Sequence, residues 1–363
     1  MEPAPLVIVA PRLPPRACGV GTYAWELNQH WPVAHAENQF LVFEDSAASR
    51  EHLQTENIHG FSANARGLAE ALEQHEAADV LLHYAGRAYH RFGFPRWMPD
   101  AFTSWQRRDA HRRLHVIFHE LPADFPLFSK QGILQRLSFS VARRLAEQAA
   151  TLITNSEHHA TVLNRWRLRS AVQWFPVPSN IPAPVVAAIF DDRRQRGDFA
   201  VFGLPYTRLQ TLRIFLDWIS IWKKSGRLLR LHLIGPRDDK FTPEADALLH
   251  RSLSNAEVVK HGELSPANVS KALVEVECCL SNSNELTWSK SGTFMACAAH
   301  GCPVVTAHPS AVGPLRFAIA AESVETMTAA AAREKGASLR RWYLENADWD
   351  LTARRVAGIV ARR

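Results

Sequence analysis

Residues 281–306 read SNSNELTWSKSGTFMACAAHGCPVVT, and this stretch decides the fold. A polar loop leads through the tetrapeptide KSGT (290–293) into a run of small residues, which stops at Gly301 and is followed by the apolar residues 303–305. Glycine is common where helices end, and a short apolar run bounded by turn residues indicates a buried strand. The stretch therefore predicts loop, helix and strand in succession, which is the repeating unit of a parallel sheet covered by helices.

The beginning of this helix is a candidate anion site. Backbone N–H groups of a first helical turn have no intrahelical acceptor, and the positive end of the helix dipole favours a phosphate there. Glu285 stands in the loop just before the helix, where its carboxylate can accept hydrogen bonds from sugar hydroxyls. An acid beside a diphosphate-binding helix start suits a nucleotide-sugar, so Glu285 and the KSGT tetrapeptide become candidate binding residues.

Short apolar runs alternate with helical patterns along the chain. Proline and charge break this rhythm at Asn180–Gly197, which we interpret as the connection between two domains, residues 1–182 and 183–340. Two such series predict an α/β fold of two Rossmann-like, doubly wound domains that face each other across a ligand cleft. The predicted strands cover residues 6–10, 40–44, 80–84, 114–119, 151–156 and 171–178 in the first series and residues 198–203, 230–235, 256–262, 276–281 and 303–307 in the second.

Length and composition agree with a two-domain globular protein, since the 363 residues are 47% hydrophobic and 21% charged. The net charge of +6 suits an anionic ligand, a membrane surface or nucleic acid, and it equally fits a basic protein without a special partner. No segment is long and apolar enough for a membrane span, and residues 1–16 lack the features of a signal peptide.

The cysteines indicate a reducing compartment. Their number is odd, no CxxC pair occurs, and most have apolar or small neighbours, so we expect reduced, mostly buried thiols in a cytoplasmic protein. The adjacent pair His158-His159 would point apart on a helix, so no metal site is expected. The five cysteines are Cys18, Cys278, Cys279, Cys297 and Cys302.

Glycines open the first helix of the chain. Gly19 and Gly21 permit close backbone approach at its start, and Thr22 can cap the helix or donate a hydrogen bond to a ligand. A GxG turn is weak evidence alone, and a turn that binds no ligand is the alternative.

Polar residues stand just past other strands, at the edge where an α/β sheet presents functional groups. His119 could donate to a substrate oxygen or carry a proton, and the alternative is a histidine that caps a turn. Arg208, in the turn after Gly203, could neutralise a diphosphate leaving group, and the alternative is a surface arginine. Arg237 follows Gly235 at a further strand end.

Together these segments resemble the GT-B glycosyltransferases, in particular the large retaining family 4, or group 1, typified by sucrose- and mannosyl-transferring enzymes. The resemblance covers nearly the whole chain in the family's order, and the last segment is the most specific. The segments are the GxG turn (19–21), VIFHELP (116–122), TLITNSEHHATVL (151–163), FPVPSNIP (175–182), FGLPYTR (202–208), LHLIGPR (231–237), VVKHGELSPANVSKAL (258–273) and NELTWSKSGTFMACAAHGCPVV (284–305).

The chain departs from the family pattern at two points. The family has two glutamates separated by seven residues, whereas Thr293 stands eight residues after Glu285 and alignment on the glycine that ends the helix places Ala296 at the second position. The basic pair of the FGLPYTR segment is reduced to Arg208. These departures give a second hypothesis, a catalytically degenerate GT-B protein that binds a nucleotide-sugar or acts as a scaffold.

The resemblance implies transfer of a hexosyl group from a UDP- or GDP-linked sugar, with retention at the anomeric carbon and without a metal or other cofactor. It places the acceptor, a glycan or a lipid-linked molecule of bacterial surface polysaccharide or glycoconjugate synthesis, on the first domain and the donor on the second. A helix over residues 341–363 would cross back to the first domain. The implied catalytic residues are His119, Glu285 and Arg208. The implied donor-binding residues are Gly19, Gly21, Thr22, Gly203, Arg237, Lys290, Ser291, Gly292 and Thr293.

The sequence also bears on partners other than a nucleotide-sugar. Basic stretches at 104–115 and 132–148 are compatible with a peripheral contact with anionic lipid at the inner face of the membrane, but ordinary sheet-covering helices are the favoured interpretation. A nucleotide-sugar epimerase of the same shape would need further acids and bases, which do not cluster in the sequence. Nucleic-acid binding is not expected, because the arginines do not belong to a recognisable reading motif.

Overall fold

The structure is a computed structural model, and it describes residues 6–32, 37–43, 46–76, 78–122, 130–184, 194–254 and 257–362. The chain divides into two compact units. Unit 1 comprises Met1–Phe175 and Trp349–Arg363, and unit 2 comprises Pro176–Asp348. Each unit buries its own hydrophobic core.

Strands and helices alternate through the first 175 residues. The strands are β1 Val7–Ala10, β2 Gln39–Val42, β3 Ile58–Gly60, β4 Asp79–Tyr84, β5 Arg113–Phe118, β6 Ala149–Thr154 and β7 Val172–Trp174. The helices are α1 Gly19–Gln29, α2 Ser46–Leu53, α3 Ala65–Gln74, α4 Gly86–Tyr89, α5 Trp97–Gln106, α6 Lys130–Gln148 and α7 Glu157–Asn164.

Unit 2 repeats the alternation, and the chain then returns to unit 1 for its last helix. The strands are β8 Gln195–Phe202, β9 Arg230–Ile234, β10 Val258–Gly262, β11 Val276–Ser281, β12 Val304–Thr306 and β13 Ile319–Ala320. The helices are α8 Pro205–Lys224, α9 Thr242–Leu249, α10 Pro266–Glu275, α11 Gly292–Ala299, α12 Ala329–Asn346 and, in unit 1, α13 Trp349–Val360.

The sheet of unit 1 is parallel throughout, in the order β3-β2-β1-β4-β5-β6-β7. Its central strands are buried on both faces, which explains why their sequences are continuous apolar runs rather than alternating patterns. Helices α3, α5 and α6 contribute Leu72, Phe102 and Leu145 to the core. Helix α13 packs on α1, with the rings of Trp349 and Tyr23 5.1 Å apart.

The sheet of unit 2 is also parallel, in the order β10-β9-β8-β11-β12-β13. Helix α8 has one apolar side, from which Leu212, Phe215 and Trp222 enter the core beside Phe199 of β8. A salt bridge between Arg227 and Glu277 lies inside this unit. The amide of Gly197 donates to the same carboxylate, so the buried acid is satisfied by backbone as well as by charge.

The predicted fold class is confirmed, because both units are parallel sheets whose strands are linked by helices. The short strands β3 and β13 escape the sequence prediction, since β3 contains a single apolar side chain, Ile58, and β13 is only two residues long. The tail forms two helices, α12 and α13, rather than one. Residues 185–193 of the expected connection lie outside the described residues, and residues 195–197 already belong to β8. The domain boundaries after residues 182 and 340 stay predictions.

The basic amphipathic helix α6 covers the sheet of unit 1. Leu145 is buried in the core, while Arg143 and Arg144 on its outer side pair with Glu147 and Asp100. A peripheral membrane contact therefore stays a prediction. Within the described ranges, no helix combines the length and the apolar character that crossing a bilayer requires.

Candidate functional site

The strand order of unit 2 changes direction between β8 and β11. In open α/β sheets, ligands bind outside the carboxyl ends of the strands at such a switch point. The turn after β8 begins with Gly203, and the loop after β11 leads to Ser291 and helix α11. Most of the donor-binding residues expected from the sequence therefore stand at or beside this switch point.

Two glycines let three backbone segments converge there. Gly203 has a φ of +136°, and a Cβ on it would lie 2.9 Å from Cγ2 of Thr293, at the start of α11. Gly235, after β9, has a φ of +134°, and a Cβ on it would lie 2.1 Å from the carbonyl oxygen of Gly203. Both positions need glycine for their backbone conformation and for space. The turns after β8 and β9 and the start of α11 thus form one tightly packed edge.

Helix α11 begins with a side-chain cap and an open first turn. The hydroxyl of Ser291 accepts from the amide of Phe294 at 3.2 Å and lies 3.0 Å from the hydroxyl of Thr293. If Gly292 carried a Cβ, the nearest atom outside the helix would be the side-chain oxygen of Asn180, 3.9 Å away. The amides of Gly292 and Thr293 are the first two of the helix, which is where a helix presents donors to an anion.

Glu285 is exposed and oriented by a second loop. Its carboxylate accepts a hydrogen bond of 2.5 Å from the hydroxyl of Ser310, which follows β12. The loop that carries Glu285 is held by Asn284, whose side-chain oxygen accepts from the amide of Leu286 and from the hydroxyl of Thr287. One carboxylate oxygen of Glu285 is therefore positioned by protein contacts, and its exposure leaves the group accessible to a ligand.

Arg208 lies inside the turns rather than on their surface. Its guanidinium donates to the carbonyl oxygens of Gly203 at 2.5 Å and Pro236 at 2.6 Å, and the residue is 5% exposed. Burial lowers the pKa of this guanidinium, and the nearby carboxylate of Asp238 acts in the opposite direction. These contacts tie the turn after β8 to the turn after β9, so the visible role of Arg208 is to hold the edge together.

The remaining basic residues of unit 2 stand in different settings. Arg237 is exposed and reaches Asp246 at 3.4 Å, and this aspartate also pairs with Lys260 at 2.8 Å. Lys290 is half-buried at the end of a short 3₁₀ helix, Trp288–Lys290, just before α11.

Unit 1 has a switch point of its own, between β1 and β4. Helix α1 starts there with Cys18 as its N-cap, and the amide of Thr22 donates to the carbonyl oxygen of Cys18 at 2.9 Å. A Cβ on Gly21 would lie 1.7 Å from the carbonyl oxygen of Arg12, so this position admits no side chain. Among the described residues, nothing lies within 4 Å of a Cβ built on Gly19. Gly21 therefore serves packing, and Gly19 is the more open of the two.

His119 follows β5 and is paired with a second histidine at the end of β4. Nε2 of His119 lies 3.0 Å from Nδ1 of His83, and the two rings are stacked. Burial and the neighbouring imidazole hold the pKa of His83 well below its ordinary value, so His83 is neutral at neutral pH. Nε2 of His83 is buried without a hydrogen-bond partner among the described residues.

Tyr23 completes this cluster. Its ring packs edge-on against His119 at 4.8 Å between centroids, and burial raises the pKa of its phenol to about 12. The amide of Asn155 donates to its hydroxyl at 3.4 Å. Neither His83 nor Tyr23 was among the predicted site residues, although the sequence places His83 at a strand end and Tyr23 directly after Thr22. His119 is thus held between a neutral imidazole and a neutral phenol.

The structure brings some of the predicted site residues together, in two separate groups. Gly203, Arg208 and Thr293 belong to one packed edge of unit 2, and Gly21 and His119 stand at the carboxyl edge of unit 1. Their roles in binding and catalysis stay predictions. Within the described ranges, no group of three or more histidine, cysteine or acidic side chains is arranged to hold a metal ion, and none of the five cysteines forms a disulfide.

Comparisons with known proteins find similar folds but no close relative. No family model matches the chain, and no curated protein does. HepE of Anabaena, solved in complex with UDP and glucose, shares 13% identity over 99% of both chains with a TM-score of 0.68. Sucrose-phosphate synthase of Thermosynechococcus elongatus shares 15% identity over 98% of both chains with a TM-score of 0.67. A glycosyltransferase of Rickettsia africae shares 12% identity over 98% of this chain and 97% of its own, with a TM-score of 0.65. The GT-B fold expected from the sequence is therefore confirmed.

Proposed function

We propose that the protein is a retaining glycosyltransferase, which moves a hexosyl group from a nucleotide-sugar to a glycan or lipid-linked acceptor without a metal ion. The observation that carries this proposal is the packed edge of unit 2. There the turns after β8 and β9 meet the start of α11, whose first amides lie at the switch point. This is the arrangement that α/β proteins use for a diphosphate.

The described contacts suggest a role for each group. The amides of Gly292 and Thr293, with Lys290 nearby, would stabilise the diphosphate as it leaves, because negative charge grows there in the transition state. Glu285, held by Ser310, would accept hydrogen bonds from hydroxyls of the donor sugar. Arg208 would act through the backbone, by fixing the turn that Gly203 begins.

His119 is proposed to contact the donor sugar near the reaction centre, as the family resemblance implies. Its pairing with a neutral His83 fixes the orientation of the ring, so a nitrogen of His119 would meet the substrate in a defined direction. Fixed groups of this kind contribute to catalysis because they need no reorganisation during the reaction.

Solved structures support the class of donor. HepE of Anabaena has been solved with UDP and with UDP-glucose, and its fold covers 98% of this chain. We therefore propose a UDP-linked sugar first and a GDP-linked sugar second. The proposed setting is the cytoplasmic side of bacterial surface polysaccharide or glycoconjugate synthesis, in keeping with five unpaired thiols.

A carboxylate placed at the start of α11 tests the proposal. In Gly292→Asp the new Cβ meets the side-chain oxygen of Asn180 at 3.9 Å, an ordinary contact distance, and an acid in a first helical turn is favourable to the helix, so the fold should be kept. The same acid would repel a diphosphate. We expect the variant to lose nucleotide binding and release of nucleotide from the sugar donor, measured by titration calorimetry and by coupled assay.

Ala267→Asp is the matched control, because it places the same acid in the first turn of α10, next to the Ser265 cap. This variant should bind and turn over the donor as the wild type does. If Gly292→Asp still bound the nucleotide with unchanged affinity, the start of α11 would not be the diphosphate site and the proposal would fail.

Two observations favour a second candidate, a nucleotide-sugar binder without transferase activity. Thr293 or Ala296 stands where the family has its second glutamate, and the guanidinium of Arg208 is bonded to two backbone carbonyls inside the protein. The donor assay separates the candidates, because a transferase releases some nucleotide by hydrolysis even without an acceptor. Tight binding with no release under any condition would support the binder.

A further inference from the structure

A cavity of about 540 Å³ opens at the carboxyl edge of the sheet of unit 1. Its volume lies within the range of small-molecule sites. Its walls come from the end of β4, from α4 and the loop after it, from the residues after β5, and from α6. No predicted catalytic or donor-binding residue is among its described lining residues, so the function proposed above does not account for it.

The described lining of this cavity carries a net positive charge. Arg87 and Arg91 line it, and both are exposed. Among the described residues, neither makes an ion pair with a carboxylate. Among the described lining residues, Glu120 is the acidic one. Two guanidinium groups against one carboxylate favour an anionic ligand, and guanidinium groups bind carboxylates and phosphates through paired N–H donors.

The same wall offers an aromatic face. The ring of Phe92 is 43% exposed, and the guanidinium of Arg91 lies 4.3 Å from its centroid. The ring of Phe94 is nearly parallel to it, with the centroids 6.1 Å apart. The exposed part of such an aromatic ring can pack against the apolar face of a sugar ring. Glu120 and the hydroxyl of Ser138 supply acceptors for sugar hydroxyls.

Backbone packing keeps this wall in place. A Cβ on Gly86 would lie 2.3 Å from the carbonyl oxygen of Gly93, so the start of α4 touches the loop that follows it. Gly93 has a φ of +82°, and a Cβ on it would lie 3.4 Å from Cγ of Arg87. The stem of Arg87 thus passes close to Gly93, which leaves room for it because it carries no side chain.

We infer that this cavity binds the acceptor of the proposed reaction, and that the acceptor is a saccharide with a carboxylate or phosphate beside its ring. Arg87 and Arg91 hold the anionic group, Phe92 packs on the ring, and Glu120 accepts from a hydroxyl. The role as acceptor site rests on the proposed function, whereas the binding of an acidic saccharide rests on the cavity alone.

Saturation-transfer NMR on the full chain tests the binding with three probes: methyl β-glucuronide, glucose 6-phosphate and neutral methyl β-glucoside. The wild type should bind an acidic probe at least about tenfold more tightly than the neutral one, since a charged hydrogen bond outweighs a neutral one by about that factor. Preference for the glucuronide or for the phosphate tells which anion the acceptor carries. The double variant Arg87→Gln/Arg91→Gln should lose this preference. Arg96→Gln, an exposed arginine outside the cavity lining, should keep it.

Equal binding of acidic and neutral probes by the wild type would overturn the inference, and so would an unchanged preference in the double variant. Donor hydrolysis without an acceptor should be the same in the double variant and the wild type, because neither arginine is among the residues proposed for donor binding or catalysis. If the wild type hydrolyses the donor but does not bind the acidic probes, the inference about the cavity is overturned and the proposed function is not. Arginine-dependent binding of the acidic probes without any donor binding upholds the cavity site and overturns the proposed function.

Discussion

The guanidinium of Arg208 joins the turn after β8 to the turn after β9. Among the contacts described above, no other charged side chain bonds to both turns. Arg208→Met keeps the bulk of the side chain but leaves the carbonyl oxygens of Gly203 and Pro236 without this donor. We expect the free energy of unfolding to fall by about 1–3 kcal/mol, measured by urea denaturation. The control Arg237→Met removes an exposed arginine nearby and should change stability by less than about 0.5 kcal/mol. Unchanged stability of Arg208→Met with lost nucleotide binding would show that the guanidinium serves the ligand instead.

The carboxylate of Glu285 is exposed, so its loss should affect function and not folding. Glu285→Gln removes the charge that would accept donor hydroxyls, and we expect kcat/KM for transfer to fall roughly 10–100-fold at an unchanged melting temperature. Glu322→Gln, another exposed glutamate of unit 2, is the matched control and should retain activity. Equal activity of the two variants would remove Glu285 from the site.

Individual residues also show how much of the candidate site can be predicted from the sequence. That Gly203 and Thr293 lie together follows from parallel strands ending at one edge, and the sequence places both at strand or helix ends. The burial of Arg208 could not be predicted, because it depends on Gly235, which comes close to the guanidinium only in the folded chain. The pairing of His83 with His119 likewise depends on β4 and β5 being neighbours in the sheet. The sequence of a single strand does not show which strands lie beside it.

At the scale of elements, the two units share a detail at the amino edge of their sheets. In each, a strand opens with Arg-Leu-His, at residues 113–115 and 230–232, and the arginine is in register with an aspartate on the neighbouring strand, Asp79 or Asp198. Arginine and histidine both contact that aspartate in both units. The repeat fixes one strand pair in each sheet and lies at the edge opposite to the candidate site.

This contact gives unit 1 a pH-dependent stability. Burial raises the pKa of Asp79, but hydrogen bonds from His115 and Arg113 outweigh it, so the folded-state pKa is below the ordinary value. Stability from a depressed pKa is complete above the unfolded-state value, about 3.9, and is lost as the pH falls through the lower folded-state value. Asp79→Asn should therefore cost about 1–3 kcal/mol at pH 7, and its deficit should shrink below about pH 4.

Urea denaturation at pH 7, 5, 4 and 3 follows this deficit. Asp239→Asn, which changes an exposed aspartate, should track the wild type at every pH. A deficit of Asp79→Asn that stays constant from pH 7 to pH 3 would contradict the depressed pKa.

Elements also show which parts of the fold a sequence can disclose. Long buried strands such as β4, β5 and β11 are predicted nearly to their ends, because their apolar runs are bounded by charged or turn residues. The break between α12 and α13 is not predicted, since Ala347 and Asp348 are compatible with a helix in isolation. That break is where the chain passes from unit 2 to unit 1, which is a property of packing and not of local sequence.

At the scale of the whole molecule, the proposed donor should stabilise the protein by mass action. A ligand at 100 times its dissociation constant adds roughly 2.7 kcal/mol, which corresponds to several degrees of melting temperature. We expect such a shift with one nucleotide series in a screen of UDP, GDP, ADP and dTDP and their sugar conjugates, with UDP first. Gly292→Asp should show no shift with the same series. A screen in which no nucleotide stabilises the wild type would contradict donor binding.

The chain leaves unit 1 after Phe175 and returns to it at Trp349, so unit 1 is assembled from two segments, one before and one after unit 2. During synthesis from the amino end, unit 2 is the first unit whose residues are all available, although it is begun second. Until Trp349 leaves the ribosome, the ring of Tyr23 lacks its partner on α13, and α1 keeps an apolar face uncovered. A nascent chain arrested just after Asp348 has emerged would therefore carry a complete unit 2 and a unit 1 without α13, and the uncovered face of α1 would be the surface open to chaperones.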